Sequence, residues 1–250
     1  MPTEDTKKAI KQSNNTIDGI VTISQKIEKK SEKLKNNAID KAIIVNETKK
    51  PYTASSIVDA SVDKELREII KDVNSDYNDF VDNISRYLVN NFSIKLTKKD
   101  LEAISKKGSL LITNLVANTE ILKQDIQSIL TQNLAKGILK RELVLELKEL
   151  YPAYSRNAYT IINTGLSRTF IDTNISKFKE SNFNWYIWAG PDDRITREQP
   201  CKHWVWHRFP ASQLATITAT RMRLWNCRHS IIPIPDDQKD QYKIGNLKYA

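Results

Sequence analysis

Apolar residues recur along most of this chain at the three- and four-residue spacing of an amphipathic helix. Residues 4–46 place Ile17, Ile20, Ile23 and Ile27 at that spacing in a Lys-rich background, which predicts a helix with a charged outer face. Asp59 to Asn91 repeats the pattern through Leu66, Ile69, Ile70, Val73, Tyr77, Phe80, Val81 and Ile84. Between them, Lys49 to Ser56 reads as a linker around Pro51. Thr97-Lys98-Lys99-Asp100 is an N-cap pattern, opening a short helix expected to stop at Gly108. Further helices are expected over 109–135, over 139–151 with Pro152 as the stop, and over 155–180. The last would bury Ala158, Ile161, Ile162, Leu166, Phe170 and Ile175, with Gly165 permitting close packing at a cost of about 1 kcal/mol against Ala.

The period changes at Asn182. Asn184 to Trp188 is aromatic and β-branched and predicts a strand, followed by a turn over Ala189 to Asp193. Ser230 to Ile234 predicts a strand at a sheet edge, because Pro233 has no N–H for a central ladder. Beyond Pro235 the chain is polar and is expected to fray. The fold class is therefore α+β: a mostly helical N-terminal part, then a small mixed C-terminal domain with a short sheet. The segments are 1–120, 121–236 and a polar tail over 237–250.

Composition sharpens that division. The first 180 residues contain no Trp, Cys or His, whereas all five Trp, both Cys and all three His lie between 185 and 229. Lys plus Arg is 39 against 30 Asp plus Glu, for a net charge of +9. Residues 151–250 hold 14 basic and 8 acidic side chains, so most of the excess lies there. That bias favours a polyanion or an acidic protein ring as partner. No apolar run reaches the ~18 residues of a membrane span, and the first residues hold no apolar stretch of a secretory signal. Two Cys in 250 residues exclude a disulfide scaffold and suit a reducing cytoplasm.

The candidate chemistry is a pair of Cys-x-His motifs, Cys201-Lys202-His203 and Cys227-Arg228-His229. Zinc takes four N or S ligands, so Cys201, His203, Cys227 and His229 form a candidate set, with His207 as a substitute. Each pair serves only if both side chains point the same way along an extended segment. The alternatives are that both Cys are small core residues, or that they contact each other directly. A catalytic reading would use Asp193, His203, His207 and Asn226 as in metal nucleases, but the chain has no His-Glu-x-x-His, no Walker A motif and no Gly-x-Ser-x-Gly. At least three Trp are expected in the core; a base-stacking surface would need exposed rings beside Arg208, Arg221, Arg223 or Arg228.

One ordered series goes further. It runs Arg156-x-Ala158-x-x-Ile161-x-x-Thr164-Gly165, Asn174, Trp188, Asp193-Arg194-x-Thr196-Arg197, Cys201, Phe209 and Asn226-Cys227-Arg228-His229 before Pro233. Over about residues 125–236 it resembles the C-terminal domain of phage minor head proteins of the Mu F-like type, the head morphogenesis proteins. The sequence departs from that pattern at Gly165, where an acid is frequent, and at Trp204-Val205-Trp206-His207. The resemblance implies a low-copy structural protein of the virion, present in the host cytoplasm during assembly and not an enzyme. It would associate with the portal and with capsid or scaffold proteins, acting in head assembly, DNA packaging or genome ejection. In that setting Asp193, Arg194, Thr196, Arg197, Asn226 and Arg228 would hold the loop and closing strand together. Arg208, Arg221 and Arg223 would meet packaged double-stranded DNA. Two other readings compete: a metal-dependent nuclease or toxin-like effector on a head-protein scaffold, and a host DNA-binding protein with no viral role.

Overall fold

The computed structural model describes residues 4–47, 51–136, 142, 145–147, 152–194, 196–223, 227 and 229–249. For 44–47, 51–57, 133–136, 152, 222–223 and 249 the backbone alone is described. The helices are α1 (Glu4–Glu47), α2 (Pro51–Phe92), α3 (Lys98–Lys136), α4 (Pro152–Glu180) and α5 (Leu214–Arg223). The strands are β1 (Trp185–Ala189), β2 (His207–Pro210), β3 (Ser230–Ile234) and β4 (Lys243–Ile244). Long helices followed by a small mixed sheet make the chain α+β, as its hydrophobic periods predict. No described helix is long and apolar enough to cross a membrane.

Two of the helix expectations change. Residues 51–56 are the first turns of α2 and not a linker; Pro51 sits at the helix start, where its missing N–H has no intrahelical partner to lose. Helix α3 runs through Gly108. That glycine is a packing position: a Cβ there would lie 2.8 Å from the Tyr77 ring. The helix expected over 139–151 lies almost wholly outside the described residues. The N-cap at Thr97 forms as read. The Asp100 N–H bonds to the Thr97 hydroxyl at 3.3 Å, and the Thr97 N–H returns a bond to the Asp100 carboxylate at 2.7 Å.

The chain forms two compact units, each assembled from separated segments. One comprises Val21–Asn78 and Lys106–Asn163. Its α1 and α2 segments are antiparallel: Lys26 pairs with Asp76, Lys30 with Asp72, and Asn37 with Glu65, so a step forward on one helix is the same step back on the other. Ile27, Leu34, Val62, Ile69, Leu115, Leu122 and Ile162 fill its core. Lys123 bridges Asp63 and Glu120, and the Thr119 and Tyr154 hydroxyls meet at 3.0 Å.

The other unit comprises Met1–Ile20, Asp79–Ser105 and Thr164–Ala250, and holds the sheet. The strand order is β3-β1-β2-β4, with β1 antiparallel to both neighbours and β4 parallel to β2. Strand β3 with Pro233 is an edge, as the proline requires. Central β1 is buried on both faces. Ile187 and Ala189 join Ala9 and Ile10 of α1, with Ile232, Ile234 and Tyr242, in one apolar cluster. On its opposite face Tyr186 meets Phe178, and Trp188 packs edge-on to Trp204 at 5.0 Å. Two polar bonds fasten α1 to the same region: Thr6 to Gln238 at 2.5 Å and Ser13 to Ser230 at 2.7 Å.

The polar tail does not fray. It turns through Asp236–Gln241, adds β4 beside β2, and is secured by Gly245 N–H to Arg208 O at 2.8 Å and Trp204 Nε1 to Asn246 O at 2.9 Å. Gly245 lies against the Phe209 ring, where a Cβ would come within 2.1 Å of it. The tail's side chains are mostly polar, and these bonds are made by backbone groups and one distant indole, so no apolar period marks them.

Candidate metal centre

Three donors from two chain segments converge at the end of β1. Cys201 lies in the helical turn Glu198–Lys202, beside the cis Gln199–Pro200 bond. Cys227 and His229 lead into β3. Cys201 Sγ is 3.9 Å from Cys227 Sγ, which is 3.6 Å from His229 Nδ1. All three residues are buried, and their ligand atoms lie within 4.8 Å of one another. This group could hold a metal ion.

The outer contacts favour ligation. His229 Nε2 lies 2.9 Å from the Pro191 carbonyl oxygen and donates to it, which holds the ring with Nδ1 toward Cys227. The ring stacks on Trp188, centroids 6.0 Å apart. Gly190 makes room for it: a Cβ at that position would sit 2.6 Å from His229 Cδ2 and 3.0 Å from its Cα. A hydrogen bond from the Cys201 thiol, and then the Arg221 guanidinium, hold the Cys227 thiol well below its ordinary range despite its burial. Cys201 moves the opposite way, because it keeps the proton it shares with Cys227 and is itself buried. The two thiols are thus shifted in opposite directions, with Cys227 the one displaced toward the thiolate form that binds metals.

The expected set of Cys201, His203, Cys227 and His229 is corrected in one member. His203 is half-buried and lies outside the group. It follows a helical turn, where residues two apart diverge by about 200°, whereas Cys227 and His229 approach a strand, where alternate residues share a side. The substitute, His207, also lies outside: it is on β2, and its Nδ1 is 3.0 Å from the Val205 carbonyl.

The loop before Cys201 closes on Thr196. Its hydroxyl accepts the Asp193 N–H at 3.0 Å and lies 3.0 Å from Pro191 O and 3.1 Å from Asp193 Oδ1, its donor targets. Its own N–H reaches Asp193 O at 3.0 Å. Asp193 and Thr196 therefore shape the same loop whose Pro191 carbonyl orients His229. Arg194 and Arg197 are exposed on it. Asn226 and Arg228 lie outside the described residues, as does the side chain of Arg223.

Two arginines expected at DNA have partners within the fold. Arg221 is buried, and its guanidinium donates to His229 O at 2.8 Å and Cys227 O at 2.7 Å. It braces the segment that carries two of the three donors. Arg208 pairs with Asp240 at 2.7 Å and covers the Trp185 ring at 4.9 Å. Arginine type and charge do not reveal burial, which only the packing of α5 against the 227–229 segment decides. Of the Trp residues, Trp188 and Trp204 are fully buried, Trp185 is partly buried, and Trp206 is 38% exposed; Trp225 lies outside the described residues. Gly190 and the Pro191 carbonyl carry no signal in the sequence beyond a predicted turn.

No known family model matches this chain, no curated protein is significantly similar to it, and no solved structure resembles it significantly.

Proposed function

We propose that this chain is a structural minor head protein of a bacteriophage, built to assemble with a portal and shell and not to turn over a substrate. The observation that carries this reading is convergence. Asp193, Thr196, Cys201, Cys227 and His229, separate members of the ordered series that resembles Mu F-like head proteins, meet in one small knot around the Pro191 carbonyl. Such a knot ties a loop to a strand. Its three donors are buried.

Within this reading the metal is zinc. Two thiols and an imidazole are a soft set that zinc accepts, and Cys201, Cys227 and His229 would hold it. A zinc ion there would join the loop to the strand and add its binding energy to folding.

The test is the protein composition of purified heads from producing cells. The chain should be recovered with the particles at low copy number and should co-purify with the portal protein. Recovery only in the free lysate would overturn the proposal. So would metal-dependent cleavage of DNA that disappears in Asp193→Ala while the fold survives.

A further inference from the structure

The unit that holds the sheet has a second feature, separate from the three donors. Trp206 stands between buried Val205 and strand β2 and is 38% exposed. Its backbone is in the left-handed region, at φ 60°, an uncommon conformation for so bulky a residue. Its N–H is held by Trp188 O at 2.8 Å, so the turn that presents the ring is anchored to the core.

The ring borders a cleft of about 490 Å³, lined also by Lys7, Ile10, Lys11, Asn14 and Asn15. These five residues follow helical spacing on α1, so they form one stripe beside the indole. The lining includes two ammonium groups and no acid. The ion pair of Lys7 with Glu4, at 3.9 Å, is exposed. The Asn14 side-chain oxygen is buried and has no hydrogen-bond partner among the described residues.

We infer that this cleft binds an unpaired nucleotide of a single-stranded nucleic acid, with a base stacked on Trp206 and phosphates at Lys7 and Lys11. An exposed ring beside cations is the arrangement by which proteins hold single strands. A duplex keeps its bases stacked and offers the indole no open face. The chemistry of the cleft is independent of whether the chain is a head component.

The experiment is fluorescence anisotropy of a short labelled oligodeoxycytidine titrated with the full chain. Trp206→Ala should weaken binding about tenfold, and Trp206→Phe, which keeps a ring, should restore most of it. Lys7→Ala with Lys11→Ala should flatten the salt dependence between about 50 and about 200 mM by a slope of about 1.4, near 0.7 for each phosphate no longer neutralised. Circular dichroism on each variant checks the fold. No binding at low salt, equal binding by Trp206→Ala, or a duplex bound as tightly as the single strand would overturn the assignment. Tighter capture of an acidic peptide, with the oligonucleotide failing to compete, would overturn it too and make the cleft a protein-docking site.

Discussion

Replacing Arg221 by Met tests whether that buried guanidinium organises the metal-capable segment. The side chain is 3% exposed and makes two charge-assisted bonds, to the carbonyls of His229 and Cys227. Met fills similar apolar volume but offers no donor, so both buried carbonyls lose their partner. Each stranded acceptor costs about 1–3 kcal/mol, so the variant should lose about 2–6 kcal/mol. Arg221→Lys should fall between, because one ammonium on a flexible stem does not fork to two carbonyls. Urea unfolding followed by tryptophan emission is the assay. All five Trp lie between 185 and 225, so the signal reports the unit that holds the sheet. A loss below about 1 kcal/mol for Arg221→Met, at unchanged urea slope, would refute the reasoning and make Arg221 as dispensable as a surface charge.

Two further outcomes are expected. Protein purified without chelator should carry about one zinc per chain by elemental mass spectrometry, and Cys201→Ser should lose both the zinc and much of the stability of its unit; a wild type free of metal and indifferent to chelators would remove the zinc reading. Burial works against the charge of Asp100, but bonds from Lys177 and Thr97 outweigh it and hold the carboxyl below its usual range. A depressed carboxylate contributes stability above its unfolded value of about 3.9, and that contribution is lost as pH falls through the lower folded value. Asp100→Asn should therefore destabilise the protein at neutral pH, and its deficit against the wild type should shrink below about pH 4 in acid-unfolding curves. A deficit that does not change with pH would sink that account.

Helix α1, the N-cap at Thr97, strand β1 and the edge strand with Pro233 are all legible in the order of residues. Each rests on a local rule: apolar period, cap chemistry, β-branched and aromatic enrichment, or a missing N–H. The convergence of Cys227 and His229 is legible for the same reason, since alternate residues near a strand share a side. His203 is misplaced by the sequence pattern because the chain makes a helical turn at Cys201, and Cys-x-His spacing does not state which backbone it occupies. Gly108 is no stop because a helix continues through glycine when tertiary packing rewards it, here against the Tyr77 ring.

The order of residues thus determines by itself the class of the fold, most helices and two strands, and the two Cys-x-His pairs from which a donor group can be drawn. These are short-range consequences of periodicity and side-chain type. Only the tertiary structure decides that Arg221 is buried under two carbonyls, that Pro191 O orients His229, and that the polar tail adds a strand beside Arg208. It alone sets Trp206 beside Lys7 and Lys11, nearly two hundred residues away in the chain. Those outcomes depend on which distant surfaces pack together, and burial and hydrogen-bond partners follow from packing, not from composition.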